Sequence, residues 1–412
     1  MKQTNLSHKL KELPAELCAV IADACRISRD SGYKLYLAGG AVRDLLLGKA
    51  VCDIDLTVEG DAIFLAAKLA KEKGVKAILH HRFSTANLVL GNFSLDIATS
   101  RTESYERPGV LPVVTPAPLR QDLKRRDFSI NAMAIGLNPD DYGQLIDYYG
   151  GQSDLSKGLV RVLYDNSFTD DATRIWRALR YEQRLDFRLE ENTLKLLKRD
   201  KEMLNTVSGE RLRYELECIL KEKEPQRALC RADALGVLQN LHPSLRGDDW
   251  LAERFYRAAD GFPTDKLPDA YFALLVYRLE ETEVNALLDR LKPKRRTSRF
   301  LRDSVKLRLL ASGFKADFSP VFIHHKLKGL ETLVLKVAIV AEDSTRVKKA
   351  LNLFLKELRH VKVELNGNML KEMGIKEGKT IDKALNALLE ARLLKLVSST
   401  EDEKRFIKDY LK

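Results

Sequence analysis

The chain has 412 residues, of which 45% are hydrophobic and 31% charged, a composition typical of a globular protein with about two to four domains. It contains no apolar run of roughly eighteen residues, and its first ten residues lack the apolar segment of a signal peptide, so we expect neither a membrane span nor secretion. The 70 lysines and arginines exceed the 59 acidic residues by 11, a modest excess that suits a polyanionic partner.

Hydrophobic periodicity predicts a mixed segment of strands and helices at the beginning of the chain. Residues 1–30 are predicted to form an amphipathic helix. Strands are predicted at about 34–38, 52–58, 76–81, 86–91 and 93–100, with a helix near 61–73. Residues 103–121 are rich in proline and are predicted to form a loop or flap. From about residue 122 the pattern is helical, apart from a short hairpin near 144–163, and after about 165 almost every segment has helical periodicity.

The stretch from Leu35 to Asp55 combines a glycine turn with two closely spaced carboxylates. A pair of glycines, Gly39 and Gly40, between a strand and a helix lets the backbone approach a triphosphate closely. Asp53 and Asp55 lie two apart on the next predicted strand, so their side chains face the same way. Because Mg²⁺ favours oxygen ligands, this pattern predicts a site for a nucleotide and Mg²⁺. A surface loop with an incidental Asp-x-Asp is the alternative, and the preceding glycine turn argues against it.

Several motifs occur in the order found in a known family. They are Gly39-Gly40-x-x-Arg43-Asp44, Asp53-x-Asp55, Arg125-Arg126-Asp127-Phe128-Ser129-Ile130-Asn131-Ala132-Met133-Ala134, Asp147 with Gly150-Gly151, Asp170-Asp171-Ala172-Thr173-Arg174, and Glu210-Arg211 with Glu215. Over about residues 35–220 the chain resembles the bacterial and eukaryotic (class II) tRNA nucleotidyltransferase and poly(A) polymerase family. In that family the last motif is usually described as a structural ion-pair or capping element.

The resemblance implies an α+β fold. A polymerase-β-like nucleotidyltransferase head, with a mixed and mainly antiparallel sheet, would precede an all-helical neck, body and tail. We expect the head over residues 1–138, the neck with base recognition over 139–222, the body over 223–312 and the tRNA-binding tail over 313–412. In the polymerase-β-like superfamily a later strand often carries a third catalytic carboxylate, here Asp96; a surface Asp at a strand end is the alternative.

The head residues predicted to bind the nucleotide are Gly39, Gly40, Arg43, Arg126, Asp127 and Asn131. The glycines and Arg43 would hold the β and γ phosphates, because arginine suits bidentate contact with phosphate. The resemblance assigns the other three to the ribose and its neighbours. As an alternative, Arg126 and Asp127 cap a helix whose apolar residues, between 128 and 133, recur at helical spacing and belong to the core.

Asp171 and Arg174 are three residues apart in a predicted helix, a spacing that places both on one face. A carboxylate accepts from an exocyclic amine and an arginine donates to ring acceptors, so the pair can recognise cytosine or adenine without a nucleic-acid template. The resembling family is known for this kind of selection. An exposed salt bridge is the alternative. Arg177, Arg180 and Arg184 continue the helix and would face phosphates, unless they form only a solvated basic face.

The densest basic segment lies between residues 292 and 308. Its proposed RNA-binding residues are Lys292, Lys294, Arg295, Arg296 and Arg299. A helix with this charge would bind the backbone of A-form RNA by charge and shape rather than by sequence. A basic helix that serves only solubility is the alternative.

The resemblance, carried by these motifs, implies an enzyme, a template-independent tRNA nucleotidyltransferase that adds some or all of the 3′-terminal CCA to tRNA from CTP and ATP with two Mg²⁺ ions. Addition of CC alone or of A alone stays open. The segment His80-His81-Arg82-Phe83 replaces the Gly-Arg-Arg-Phe-like stretch common in the poly(A) branch, which argues against poly(A) synthesis. A catalytically inactive RNA-binding protein is the hypothesis from another class. Five scattered cysteines without Cys-x-x-Cys spacing indicate the reducing cytoplasm.

Overall fold

The computed structural model describes residues 4–51, 53–91, 93–107, 109–312, 319–375 and 378–410, without the side chains of Asp53, Ser312 and Tyr410. The chain divides into two compact units, Met1–Asn240 and Leu241–Lys412. The first unit combines strands and helices, and the described residues of the second form helices and their connections, with no strand. The α+β fold with a helical C-terminal part is therefore confirmed.

A seven-stranded sheet organises the first unit, with the strand order β3-β4-β5-β2-β1-β8-β9. Its strands are β1 (Lys34–Ala38), β2 (Asp53–Glu59), β3 (Ala77–His80), β4 (Thr85–Leu90), β5 (Phe93–Thr99), β8 (Ala134–Gly136) and β9 (Leu145–Ile146). Between them lies the hairpin of β6 (Arg101–Ser104) and β7 (Val113–Pro116), and a later parallel pair is formed by β10 (Leu159–Val160) and β11 (Arg188–Leu189). Within the sheet, β2 and β5 run parallel and the other neighbours antiparallel.

The alternation of side chains along β2 decides which face of the sheet carries chemistry. Ile54, Leu56 and Val58 are buried in the core. Because successive side chains of a strand point to opposite faces, Asp55 lies on the face away from them. The sheet therefore presents an acidic position opposite its apolar packing.

Eleven helices are described in the first unit. They are α1 (Ser7–Lys11), α2 (Ala15–Asp30), α3 (Gly40–Leu46), α4 (Ala62–Lys73), α5 (Leu119–Lys124), α6 (Gly151–Ser156), α7 (Ser167–Asp170), α8 (Thr173–Leu185), α9 (Glu191–Asp200), α10 (Gly209–Leu220) and α11 (Pro225–Ala234). Helix α4 begins at the Asp61 side chain, which accepts from two backbone amides, and ends at Gly74 in the left-handed conformation. Helix α8 buries Ile175, Trp176 and Leu179 and packs on α10 and α11.

Two predictions about local structure in this unit are wrong and a third is incomplete. The helix expected over 1–30 is divided into α1 and α2 at Pro14, which lacks the backbone amide needed to continue a helix. The segment 103–121 is not only a loop, since it contributes to the hairpin of β6 and β7 and to α5. The hairpin expected near 144–163 does not form, because β9 pairs with β8 and β10 pairs with β11.

The prediction of a helix after residue 122 is also wrong, except for the end of the short α5. Phe128 is extended, a single 3₁₀ turn covers Ser129–Asn131, and β8 follows. The Asp127 carboxylate accepts from the backbone amide of Phe128, a local bond that competes with helical hydrogen bonding. Phe128, Ile130 and Met133 are nevertheless fully buried, so their assignment to the core is confirmed.

The second unit consists of helices. They are α12 (Asp249–Gly261), α13 (Leu267–Val276), α14 (Glu281–Leu291), α15 (Arg295–Ser312), α16 (Pro320–Leu327), α17 (Thr332–Ala341), α18 (Thr345–Lys356), α19 (Gly367–Glu372), α20 (Lys379–Leu393) and α21 (Thr400–Tyr410). Helix α13 is central, since all its residues from 270 to 276 are buried and it packs against α12, α15 and α17. In the described ranges, every helix is too short or too polar to cross a membrane.

Candidate functional site

Two carboxylates face each other across the parallel strands β2 and β5. Asp55 and Asp96 are register partners in this pair, as are Asp53 and Ser94. Register partners of neighbouring strands lie on the same face of the sheet, so Asp55 and Asp96 are adjacent. Asp96 lies in the middle of β5 rather than at its end, and its Oδ1 accepts a 2.9 Å hydrogen bond from Asn87 of β4. The side chain of Asp53, the other predicted carboxylate, lies outside the described part of the chain.

The glycine turn at Gly39 and Gly40 lies against Asp55, which together with Asp96 forms what we call the carboxylate row. Gly39 has φ 75°, a left-handed conformation that favours glycine. A Cβ atom added there would lie 2.6 Å from Nη1 of Arg126 and 2.9 Å from Oδ2 of Asp55, closer than side chains can pack. At Gly40 an added Cβ would make only an ordinary contact with Arg43. Gly39 is therefore required both for the turn and for the approach of Asp55 and Arg126.

Arg43, predicted to contact phosphate, is buried behind the turn with only 3% of its surface exposed. Its Nη1 donates to Oδ1 of Asn131 at 2.6 Å, and its Nε and Nη2 donate to the two oxygens of Asp44, each at 2.9 Å. The guanidinium also lies 5.0 Å from the ring centre of Tyr181. These contacts hold Arg43 in place within the wall of the cleft.

Arg126 is held by a buried carboxylate at the end of α5. Its Nη2 donates to Oδ2 of Asp122 and to Oγ1 of Thr57, each at 3.2 Å. Burial alone would raise the pKa of Asp122, but the charges of Arg126 and Arg125 outweigh it and lower that pKa. Asp122 therefore stays ionised and orients Arg126 beside Gly39.

Asp127 forms the centre of a buried hydrogen-bond network. Its Oδ1 accepts from the backbone amide of Phe128 at 2.8 Å and from Nδ2 of Asn131 at 3.0 Å. Its Oδ2 accepts from Nε and Nη2 of Arg177. Burial opposes the charge of Asp127, but Arg177 and the hydrogen bonds outweigh it and lower the pKa of this carboxyl to about 2. The network thus keeps a permanent negative charge beneath the cleft.

The structure corrects the predicted arrangement of Asp171 and Arg174. They do not share a helix, because Asp171 is extended between α7 and α8. Its Oδ1 accepts from the amide and hydroxyl of Thr173, at 3.0 and 2.7 Å, and from Nη2 of Arg211 at 2.8 Å. The local bonds to Thr173 replace a helical turn. The salt bridge of Asp171 is therefore with Arg211, so the last of the family motifs holds the predicted base-recognition carboxylate.

Arg174 is almost fully buried at the beginning of α8. Its Nη1 donates to Oγ of Ser167 at 2.8 Å, and its Nη2 donates to the backbone carbonyl of Arg125 at 2.7 Å. Burial would lower the pKa of Arg174, but nearby Tyr164, Tyr105 and Asp171 raise it, so the group stays charged. Arg174 consequently joins α8 to the segment that carries Arg126 and Asp127.

Arg180 and Arg184, farther along α8, are paired more loosely than Arg177, which binds Asp127. Arg177 and Arg180 each lie 3.9 Å from an oxygen of Glu215, and Arg180 lies 3.5 Å from Glu222. Burial raises the pKa of Glu215 although both arginines oppose the shift. Arg184 is exposed and lies 3.9 Å from Glu222. The predicted basic stripe therefore runs along one wall of the cleft.

A cavity of about 690 Å³ collects most of these side chains within the first unit. Its walls include the predicted residues Gly39, Gly40, Arg43, Asp55, Asp96, Arg126, Asp127, Asn131, Asp171, Arg174, Arg177 and Arg180. Glu103 and Tyr105 also line it and were not predicted. The tyrosine hydroxyl donates to Glu103, which also accepts from Arg125. An acidic and an aromatic residue in the proline-rich segment were the available signal, but spacing alone does not place them in the cleft.

Comparison with known proteins identifies the family. Residues 35–161 match the family model of the poly(A) polymerase head domain, and residues 186–248 match that of the probable RNA and SrmB binding site of polymerase A. An A-adding tRNA nucleotidyltransferase of Halalkalibacterium halodurans is 31% identical over 91% of this chain and 88% of its own length. The chain belongs to the tRNA nucleotidyltransferase and poly(A) polymerase family.

Two further members of the family are similar over most of this chain. The A-adding tRNA nucleotidyltransferase of Geobacter sulfurreducens is 33% identical over 96% of this chain, which spans about half (47%) of that relative's length. The Thermotoga maritima CCA-adding enzyme, solved in complex with a tRNA, is 30% identical, aligns over all of both chains and has a TM-score of 0.76.

The donor set of the cleft fits the divalent metal that nucleotidyltransferases of this polymerase-β type generally use. Within the described side chains, no cluster of three or more His, Cys, Asp or Glu could hold a metal. Asp55 and Asp96 nevertheless supply two adjacent carboxylates. A hard cation that binds one or two protein carboxylates together with substrate phosphates needs no more.

The basic segment predicted to bind RNA belongs to the second unit. Lys292 follows α14 in the left-handed conformation, and α15 begins at Arg295. All five of its proposed RNA-binding residues are exposed. The cations in the first turn of α15 oppose its helix dipole, whereas Lys292 lies at the C-terminus of α14, where a positive charge is favourable.

Proposed function

We propose that this chain is a template-independent tRNA nucleotidyltransferase that adds some or all of the 3′-terminal CCA from CTP and ATP. The observation that carries the proposal is the register of Asp55 with Asp96 on parallel strands, beside Gly39 and within a cleft lined by arginines. Carboxylates beside a phosphate-sized turn and fixed positive charge suit transfer of a nucleotidyl group. The names of the relatives, A-adding and CCA-adding, support tRNA as the acceptor.

The proposed metal ligands are Asp53 and Asp55, with Asp96 as the third catalytic carboxylate. When bound there, Mg²⁺ would lower the pKa of the attacking 3′-hydroxyl and offset the charge of the leaving pyrophosphate. The hydrogen bond from Asn87 orients Asp96 toward this role. The metal is thus a proposal that rests on the donor chemistry of β2 and β5.

The remaining head residues would hold the nucleotide. Arg126, beside Gly39, supplies a fixed positive charge for the phosphates, because Asp122 and Thr57 orient it. Asp127 and Asn131 would lie by the ribose, with Arg43 behind them as a support and a further charge. Since their positions are fixed by buried hydrogen bonds, these groups need little rearrangement when the substrate binds.

Asp171 and Arg174 would select the base. The three donors to Asp171 all reach Oδ1, and no described residue donates to Oδ2. That oxygen can therefore accept from the exocyclic amine that cytosine and adenine share. Arg174 would donate to a ring acceptor. Arg177 and Arg180 would neutralise phosphates.

The proposal divides the chain into a head (1–138), a neck (139–222), a body (223–312) and a tail (313–412). The exposed residues Lys292, Lys294, Arg295, Arg296 and Arg299 would bind the backbone of the tRNA. A reducing cytoplasm suits the cysteines, because none of the four that the structure describes forms a disulfide. Addition of A alone is the second candidate, because both curated relatives described above carry that name.

The test is to incubate the purified protein with tRNAs that end before CCA, after C and after CC, each with one nucleotide at a time. Incorporation of C on the first two and A on the third indicates complete addition. Incorporation of A alone, once, indicates the second candidate, and repeated addition of A indicates poly(A) synthesis. No incorporation on any tRNA contradicts the proposed function.

A further inference from the structure

A second cavity, of about 450 Å³, adjoins the cleft in the first unit. The two share Arg180 and Arg184, which lie four residues apart on one face of α8. The other basic side chains of this groove are Lys49, which follows α3, and Lys223 and Arg227 near the beginning of α11. The groove thus extends the cleft beyond Arg180 and Arg184, and its lining does not include Asp55 or Asp96.

The positive charge of the groove is only partly compensated. Its acidic residues are Asp186, Glu222 and Glu224, against five basic side chains. Each arginine of the groove lies 2.7 to 3.9 Å from one of these carboxylates. Lys49 and Lys223 are exposed, and neither forms an ion pair with a described residue. The groove therefore offers two lysines and a net positive charge to a phosphate chain.

An exposed aromatic ring lies in the adjoining cleft wall. Tyr214 of α10 lines the cleft and has 62% of its surface exposed, whereas Tyr181 is 92% buried beneath the arginines. Isolated exposed rings are common on protein surfaces. A ring beside a basic groove, however, is the combination that binds single-stranded nucleic acid, because bases stack on the ring while cations follow the phosphates.

We propose that Tyr214 and the groove hold the single-stranded 3′ end of the RNA acceptor. This inference rests on the proposed function, in which the incoming nucleotide binds in the part of the cleft that Arg126 and Asp171 line. The second reactant must bring its 3′-hydroxyl to the same carboxylates and is a polyanion with unpaired terminal bases. A terminal base stacks on Tyr214, and the preceding phosphates lie along Lys49 and Lys223.

The test uses the full chain with Tyr214→Ala and Tyr214→Phe. Binding of a labelled single-stranded oligoribonucleotide ending in CC is measured by fluorescence anisotropy, and KM is measured separately for tRNA and for ATP. Tyr214→Ala weakens oligonucleotide binding and raises the KM for tRNA by about tenfold while the KM for ATP stays unchanged. Tyr214→Phe, which keeps the ring, restores most of the binding. Tyr142→Ala, at an exposed tyrosine (42%) outside the cleft, is the matched control.

A double variant, Lys49→Ala with Lys223→Ala, tests the binding of phosphates by the groove. The salt dependence of oligonucleotide binding (log K against log salt) becomes shallower by about 0.7 for each phosphate that the variant no longer neutralises. Lys198→Ala, at an exposed lysine of α9, leaves the slope unchanged. Unchanged oligonucleotide binding in Tyr214→Ala, or a raised KM for ATP alone, overturns the inference. A wild-type protein that binds the oligonucleotide but adds no nucleotide overturns the proposed function instead.

Discussion

Arg177 donates two hydrogen bonds to Oδ2 of Asp127, at 2.8 Å from Nε and 2.6 Å from Nη2. The pair joins α8 to the segment after α5, although the two residues are 50 positions apart. Through Asn131 the same network reaches Arg43 of α3. The wall proposed to hold the nucleotide and the wall proposed to select its base are therefore joined by one ion pair, in which Asp127 is buried and Arg177 is half-buried.

Asp127→Asn is expected to lower the free energy of unfolding by about 2–4 kcal/mol, because it leaves Arg177 without its main counter-ion. Urea denaturation at neutral pH measures the change. Asp140→Asn, at an exposed carboxylate of the same unit, is the control and should change the free energy by less than about 0.5 kcal/mol. An equal effect of the two substitutions would show that the ion pair contributes little.

The stabilisation by Asp127 is expected to disappear in acid. Its pKa is lowered from 3.8 in the unfolded chain to about 2 in the folded protein. The stabilisation is complete above pH 3.8 and is lost as the pH falls through about 2. The gap in unfolding free energy between the wild type and Asp127→Asn should therefore narrow across this window. If the difference in unfolding free energy stays constant down to about pH 2, the charge of Arg177 does not lower the pKa of the Asp127 carboxyl.

Asp171→Ala is expected to reduce selection of the base rather than binding of tRNA. Losing the carboxylate removes one acceptor for the exocyclic amine, so preference for CTP and ATP over UTP should fall by about tenfold to a hundredfold. Ratios of kcat/KM for the three nucleotides measure it. The neighbour Asp170, which accepts from the hydroxyl of Tyr164, provides the control variant Asp170→Ala. Unaltered nucleotide ratios in Asp171→Ala would remove this residue from base recognition.

Alanine at Lys294, Arg295 and Arg299 together is expected to weaken binding of tRNA and to reduce its salt dependence. For each phosphate that is no longer neutralised, the slope of log K against log salt should decrease by about 0.7–0.9. Filter binding at several salt concentrations gives the slope. Alanine at three exposed lysines of the first unit, Lys34, Lys71 and Lys76, removes the same charge elsewhere. Equal slopes for the two triple variants would show that only net charge matters.

Local patterns predict much of the sheet but not its irregular parts. The apolar run at 34–38 corresponds to β1, and the helix predicted near 61–73 corresponds to α4, where Asp61 and Gly74 provide local start and stop signals. The region after residue 122 resists such prediction, because Phe128, Ile130 and Met133 are spaced by two and then three residues, which fits neither a helix nor a strand throughout, although all three are buried. Packing against the rest of the fold decides whether this segment is helical or extended.

The candidate site shows the same division. The spacing of Asp53 and Asp55 predicts two carboxylates on one face of a strand. The pairing of β2 with β5, which brings Asp96 next to Asp55, depends on the order of strands in the sheet and cannot be predicted from that spacing. The spacing of Asp171 and Arg174 predicts a shared helix face. The bond of Asp171 to Arg211, 40 residues later, and its local bonds to Thr173 produce a different geometry with the same two residues in the cleft.

The most direct test of the central claim is a single-turnover measurement of AMP addition to a tRNA ending in CC, for the wild type, Asp55→Asn and Asp96→Asn. Asp140→Asn, at the exposed carboxylate, is the matched control. We expect each of the first two variants to lower the rate by about a hundredfold to a thousandfold, with tRNA binding and unfolding free energy unchanged. Rates close to wild type in both variants would contradict the assignment of the carboxylate row to catalysis.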